Sequence, residues 1–142
     1  MERKMAVTFI LALVAGVITV ACDRGSKPSA SDKTIKSASS GGLTITLASD
    51  TGEVKSGDND LILVFAGESG KPVDVGAASL KFHMPAMGAM AEMNDLATLT
   101  TTETPGRYRA HVHVEMAGSW EARVDYQGSK GTGQVSLNVN AK

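Results

Sequence analysis

The chain has a single cysteine, few aromatic residues and almost no net charge. One thiol excludes an intrachain disulfide framework and a zinc site built from several thiolates. Fourteen Lys and Arg residues oppose fifteen Asp and Glu residues, and this balance excludes a nucleic-acid binder held by bulk positive charge. Aromatic residues make up only 4%, so a core must be built from aliphatic residues and Met. The apolar share of 42% is that of a globular protein.

Only one long apolar run occurs, and it lies near the N-terminus. The run extends from Met5 to Ala21, follows Arg3 and Lys4, and ends in small residues just before Cys22. Because the run is short and a polar stretch follows it, it favours a secretory signal peptide over a transmembrane helix. We therefore expect residues 1–21 to be a signal peptide.

The only cysteine directly follows the predicted signal. Thr19-Val20-Ala21-Cys22 resembles a bacterial lipobox, although Thr is a less common residue at its first position. This resemblance implies a lipid on Cys22 and a protein anchored to the bilayer of the cell envelope, facing the periplasm or the extracytoplasmic surface. Asp23 slightly favours the inner membrane, as in enteric lipoproteins. The alternative is an ordinary signal peptide with an unrelated cysteine.

The mature chain begins with a polar stretch. Residues 23–42 contain six Ser, three Gly and one large apolar residue, Ile35. Such a composition buries too little apolar surface to offset chain entropy, so residues 22–42 are predicted to be a flexible tether that starts at the lipidated Cys22. Residues 43–142 are long enough for one small domain.

The domain is predicted to be all-β. Short apolar alternations are separated by Gly and Pro, and no amphipathic helix is evident. About seven strands in this arrangement indicate an immunoglobulin-like β-sandwich, with an open barrel as the alternative. The strands are predicted at residues 43–47, 61–65, 78–82, 96–101, 107–116, 120–126 and 134–139.

Methionine and histidine are concentrated in one window of the mature chain. All five Met and all three His lie between His83 and Met116, and Met recurs at every third position from Met84 to Met93. Pro85 and Gly88 argue against a helix there. Met84 alternates with Leu80 and Phe82, so it is equally well explained as a core residue or as a ligand.

The Met-rich segment predicts a soft-metal site. Thioether sulfur suits Cu(I), needs no deprotonation and does not form disulfides outside the cytoplasm. Imidazole accepts Cu(I) or Cu(II), so copper is the predicted cofactor, with Cu(I) favoured. The alternative is Met packing together with solvated surface histidines. The candidate ligands are His83, Met84, Met87, Met90, Met93, His111 and His113.

Three short motifs resemble the YtkA-like domain family of exported bacterial proteins, which is related to FixH-like proteins. They are Met84-Pro85-Ala86-Met87-Gly88, Pro105-Gly106-Arg107-Tyr108 and Met116-Ala117-Gly118-Ser119-Trp120. The resemblance implies an immunoglobulin-like sandwich with links to copper handling and respiratory oxidase assembly. Many relatives place a His soon after the Met-Gly pair, whereas Ala89 and Met90 follow Gly88 here.

Two functions are compatible with the sequence. The first is a tethered copper-binding protein that captures, buffers or delivers copper to a partner protein. The second is an interaction module without metal that assists a membrane respiratory or efflux complex, with the Met loop as an apolar contact surface. An enzyme is not expected, because no phosphate loop, nucleophile elbow or paired-carboxylate motif is present.

Overall fold

In the computed structural model, which describes residues 32–142, the chain forms nine β-strands. The predicted signal peptide and Cys22 lie outside the described residues. Within the described part, no helix is long and apolar enough to cross a membrane. The strands are β1 Lys33–Ser40, β2 Leu43–Ser49, β3 Gly57–Ala66, β4 Ala77–Met84, β5 Met93–Leu96, β6 Thr98–Thr101, β7 Arg107–Val114, β8 Gly118–Gly128 and β9 Gly131–Ala141.

The strands form two antiparallel sheets. The five-stranded sheet has the order β1-β2-β3-β7-β6, and the four-stranded sheet has the order β5-β4-β8-β9. The orders β2-β3-β7-β6 and β4-β8-β9 match the ABED and CFG sheets of an immunoglobulin domain. The predicted all-β immunoglobulin-like sandwich is therefore confirmed, with nine strands instead of about seven.

The core lies between the two sheets and follows the strand alternation. On β7, Tyr108, Ala110, Val112 and Val114 are buried, and the residues between them face outward. Met84 takes part in this core, and so do all five aromatic residues of residues 32–142, which are Phe65, Phe82, Tyr108, Trp120 and Tyr126. The largest fully buried side chains include Trp120, Phe65, Phe82, Ile45, Leu47, Leu61, Leu63, Leu80, Met84 and Leu137.

The predicted flexible tether is wrong for residues 33–40, which form β1. This strand pairs with β2 through seven residue pairs, and the bulge after Thr34 lets Ile35 pack against the core. Asp32, just before it, forms an ion pair with Arg107. The prediction failed because it was based on the scarcity of apolar side chains. An edge strand is held largely by backbone hydrogen bonds, which do not require such side chains.

The strand predicted at residues 96–101 is divided between the two sheets. β5 belongs to the four-stranded sheet and β6 to the five-stranded sheet. Ala97 lies between them, buried, and its N–H donates to Leu80 O at 2.9 Å. The chain thus crosses from one sheet to the other at this residue, and β5 reaches back to Met93 at the end of the Met-rich segment.

The turn after Pro105 depends on a glycine. Gly106 has φ +80, and a Cβ at this position would lie 2.2 Å from Val73 O. Its carbonyl accepts a hydrogen bond from Phe65 N at 2.8 Å. No other residue type fits so close to the neighbouring backbone, which explains the Gly in the Pro-Gly-x-Tyr motif.

Candidate functional site

The Met-rich segment connects β4 to β5 and forms one hairpin with them. Met84 pairs with Met93 at its base, and Met87 pairs with Met90 at its tip. His83 and Asn94 form the next pair toward the sheet. The regular Met spacing therefore arranges four methionines as two cross-strand pairs.

The tip of the hairpin holds two thioethers together. Met87 N donates to Met90 O at 3.1 Å, and Met90 N donates to Met87 O at 2.9 Å. Gly88, with φ +57, occupies the first central position of the two-residue turn, where a type II′ hairpin turn places Gly. Residues directly opposite each other share one side of a hairpin and have Cβ atoms about 5 Å apart. The two side chains, 55% and 41% exposed, therefore project from the same side into solvent.

The base of the hairpin belongs to the core. Met84 is only 1% exposed, and its partner Met93 is half-buried against the core. A Cβ at Gly118 would lie 3.0 Å from Met84 Cε, so the glycine leaves room for the Met84 methyl group. Met84 is thus a core residue, one of the two roles that the sequence left open for it.

The β7–β8 connection closes the same end of the sandwich. Trp120 Nε1 donates to Met116 O at 3.0 Å, and Met116 is half-buried against the core. Trp120 is 1% exposed. Met116 and Trp120 of the Met-x-Gly-x-Trp motif therefore have structural roles beneath the Met hairpin.

His83 lies on the outer face of the four-stranded sheet. Its Nδ1 is 3.0 Å from Asn94 Oδ1, its cross-strand neighbour. Because the amide oxygen only accepts hydrogen bonds, Nδ1 carries the hydrogen and the lone pair of a neutral ring lies on Nε2. The ring is half-buried, and the Glu121 carboxylate faces it from β8.

Glu121 is held as an anion beside His83. Hydrogen bonds from Arg123, at 2.8 Å, and from Ser136 lower its pKa from 4.5 to about 2. The nearby His83 contributes in the same direction. The carboxylate therefore stays charged at pH values well below the ordinary pKa of 4.5.

His111 and His113 lie on the outer face of the five-stranded sheet. Their Nδ1 atoms are each 2.9 Å from a carboxylate oxygen on β3, that of Asp60 for His111 and that of Asp58 for His113. The imidazole side chains are 58% and 63% exposed. The hydrogen bond to Asp60 raises the pKa of His111, and the hydrogen bond to His113 lowers the pKa of Asp58.

The predicted ligands fall into four places. Met87 and Met90 meet at the hairpin tip, His83 lies farther down the same hairpin, and Met84 and Met93 pack at its base. His111 and His113 lie on the outer face of the other sheet. No group of three or more His, Cys, Asp or Glu in residues 32–142 is placed to hold a metal ion.

The carboxylates that hold the histidines were not found from the sequence. Asp58 and Asp60 are 55 and 51 residues from their histidines, and only the β3–β7 register brings them together. A signal does exist, because Asp recurs at every second position in Asp58-Asn59-Asp60, and His does so in His111-Val112-His113. Matching them requires the strand order, which the sequence does not provide.

The topology and the Met hairpin define a small immunoglobulin-like β-sandwich with an exposed thioether pair at one end. The YtkA-like family model matches residues 37–125, well over half of the chain. The chain therefore belongs to the YtkA-like family. No curated protein and no solved structure matches it.

Proposed function

We propose that the protein is a membrane-tethered copper-binding protein of the cell envelope that captures Cu(I) for buffering or delivery. The observation that carries the proposal is the cross-strand pairing of Met87 and Met90 at an exposed hairpin tip. Anchoring through a lipid on Cys22 would keep the hairpin near the membrane and near a partner that receives the metal.

The donor atoms fit the soft ion. Thioether sulfur is neutral and polarizable, and it suits Cu(I) far better than Zn(II), Mg(II) or Ca(II). Two sulfur atoms on one side of a hairpin can approach one ion without a change in the backbone. Because no proton must leave a thioether, binding would be insensitive to mild acid.

The site would be open on its outer side. Met84 and Met93 are engaged with the core, and His83 lies four residues before Met87, a distance of about 13 Å along an extended strand. Two protein ligands therefore leave coordination positions for solvent or for a ligand from another protein. Such a site exchanges its ion readily, as metal delivery requires.

The second candidate is an interaction module that uses the same hairpin without metal. The exposure of Met87 and Met90 favours it, since flexible Met side chains form adaptable apolar contacts. A partner complex in the membrane would then bury the tip. The two functions differ in what they require of residues 87 and 90, sulfur for the first and apolar bulk for the second.

Copper competition with paired substitutions separates the two functions. All nine strands lie within residues 33–141, so a chain from Asp23 to Lys142 keeps the whole fold. This chain would compete with a chromophoric Cu(I) chelator under anaerobic conditions. Its M87L/M90L variant keeps apolar bulk but removes both sulfur atoms, whereas M87A/M90A removes both properties.

Copper capture predicts that both variants lose Cu(I) affinity by at least tenfold. The matched control M116L changes a half-buried Met outside the hairpin and should leave the affinity unchanged. Equal affinity of wild type and M87L/M90L would refute a thioether site. The interaction function would then be examined by membrane pull-down, where it predicts that M87L/M90L binds and M87A/M90A does not.

A further inference from the structure

We propose that His111 and His113 form a second metal site, separate from the Met hairpin, for a borderline divalent cation such as Zn(II) or Cu(II). This site shares no residue with the Met hairpin and lies on the outer face of the five-stranded sheet. It does not depend on copper binding by Met87 and Met90.

The register of β3 and β7 builds the site. Asp60 lies opposite His111 and Asp58 lies opposite His113, and the intervening Val112 points into the core. The two imidazoles lie two positions apart on the same side of one strand, about 6.6 Å along the backbone. Both rings are exposed, so small rotations can bring their free nitrogens to one ion.

The hydrogen bonds fix which nitrogen is available. Each Nδ1 lies 2.9 Å from a carboxylate oxygen, which can only accept. Nδ1 therefore carries the hydrogen, and Nε2 of the neutral ring carries the lone pair. Metal-binding histidines in proteins typically have this arrangement, in which a carboxylate orients the ring and makes it a better donor.

Local charge favours a cation. Asp58 and Asp60 also line an open groove of about 910 Å³ that runs beside His111, together with Asp50 and Glu53. Three cationic residues, Lys55, Arg107 and Arg109, line the groove too, but six carboxylates outnumber them, and the ion pair with Asp32 offsets the charge of Arg107. The groove gives a hydrated ion direct access to His111, and the His113 ring is exposed to solvent two positions further along the strand.

The ligand set identifies the class of ion. Two imidazole nitrogens suit Zn(II), Cu(II) or Ni(II), in contrast to the thioethers of the hairpin, which suit Cu(I). Since no third His, Cys, Asp or Glu of residues 32–142 joins them, water would complete the coordination sphere. The site should therefore bind reversibly and exchange its ion readily.

Nitrogen NMR tests the site directly. The chain from Asp23 to Lys142, labelled with ¹⁵N, would be titrated with ZnCl2 at about pH 8, above the ordinary imidazole pKa of about 6.5. The expected result is a change in the Nε2 shifts of His111 and His113 that saturates at one equivalent, while Nδ1 keeps its hydrogen and His83 is unaffected. Separate responses of the two rings, or no response at millimolar Zn(II), would overturn the proposal.

Variants distinguish a built site from two independent surface histidines. H111Q/H113Q should lose Zn(II) and Cu(II) binding, and D58N/D60N should weaken it about tenfold or more, because the orienting carboxylates are lost. M87L/M90L should bind both ions as the wild type does. Unchanged affinity in D58N/D60N would contradict the proposed role of the aspartates, and unchanged affinity in H111Q/H113Q would refute the site. Neither result would bear on Cu(I) capture by the hairpin.

Discussion

At the scale of single residues, two methionines three positions apart occupy opposite environments. Met84 is 1% exposed and packs beside Gly118, whereas Met87 is 55% exposed at the hairpin tip. Met84 is the last residue of β4, whereas Met87 lies beyond the strand and pairs with Met90 at the tip. The Met repeat therefore divides into methionines that support the fold and methionines that are available to a ligand.

Alanine substitutions should separate these roles. Met84→Ala should lower the free energy of unfolding by about 2–5 kcal/mol, because it leaves a cavity between the sheets. Met87→Ala should change it by less than about 0.5 kcal/mol, because the side chain is exposed. Urea unfolding of the metal-free proteins measures both values. A similar cost for the two variants would contradict the assignment of Met84 to the core.

At the scale of the strands, the sequence predicts those that carry an apolar face and misses those that do not. All seven predicted segments form strands, since each alternates or is apolar throughout. β1 has no such pattern and is held by its pairing with β2, and β5 is only four residues long. Backbone pairing at a sheet edge leaves little trace in side-chain patterning, so these two could not be predicted.

Removal of β1 should destabilise the domain. A chain that begins at Leu43, the predicted domain boundary, should melt about 5 °C or more below a chain that begins at Asp32, because it loses the β1 ladder and the packing of Ile35. Thermal unfolding by circular dichroism compares the two. Identical melting temperatures would show that residues 33–40 act as the tether that composition suggests.

Acid should remove the contribution of the Glu121 carboxylate, on β8, to the stability of the domain. Its pKa of about 2, against the ordinary 4.5, means that the folded state favours the carboxylate. This contribution to stability is complete above pH 4.5 and is lost as the pH falls toward 2. Side-chain ¹³C NMR should show the low midpoint in the wild type.

Arg123→Gln supplies the control for this assignment. The Arg123 guanidinium is the largest cause of the lowered pKa, so its removal should raise the midpoint of Glu121 toward 4.5. An ordinary midpoint in the wild type, or no change in the variant, would contradict the ion pair as the cause.

At the scale of the whole molecule, the sandwich separates the metal-binding residue types. The thioether pair lies at one end, on the β4–β5 hairpin, and the His111–His113 pair lies on the outer face of the five-stranded sheet. The sequence indicates the chemistry of both, because Met and His are rare and clustered. The sequence does not indicate that the two pairs lie apart. The 34-residue window from His83 to Met116 contains strands of both sheets, so residues close in sequence end up on different faces.

The proposed Cu(I) site at Met87 and Met90 is tested most directly by methyl NMR. The chain from Asp23 to Lys142, labelled with ¹³C at the methyl groups of its five methionines, would be titrated with Ag(I). Silver is soft like Cu(I) and stable in air. We predict that the Met87 and Met90 methyl signals shift together and saturate at one equivalent, while those of Met84 and Met116 stay in place. A site elsewhere, or none, would leave the Met87 and Met90 signals unchanged and contradict the proposed function.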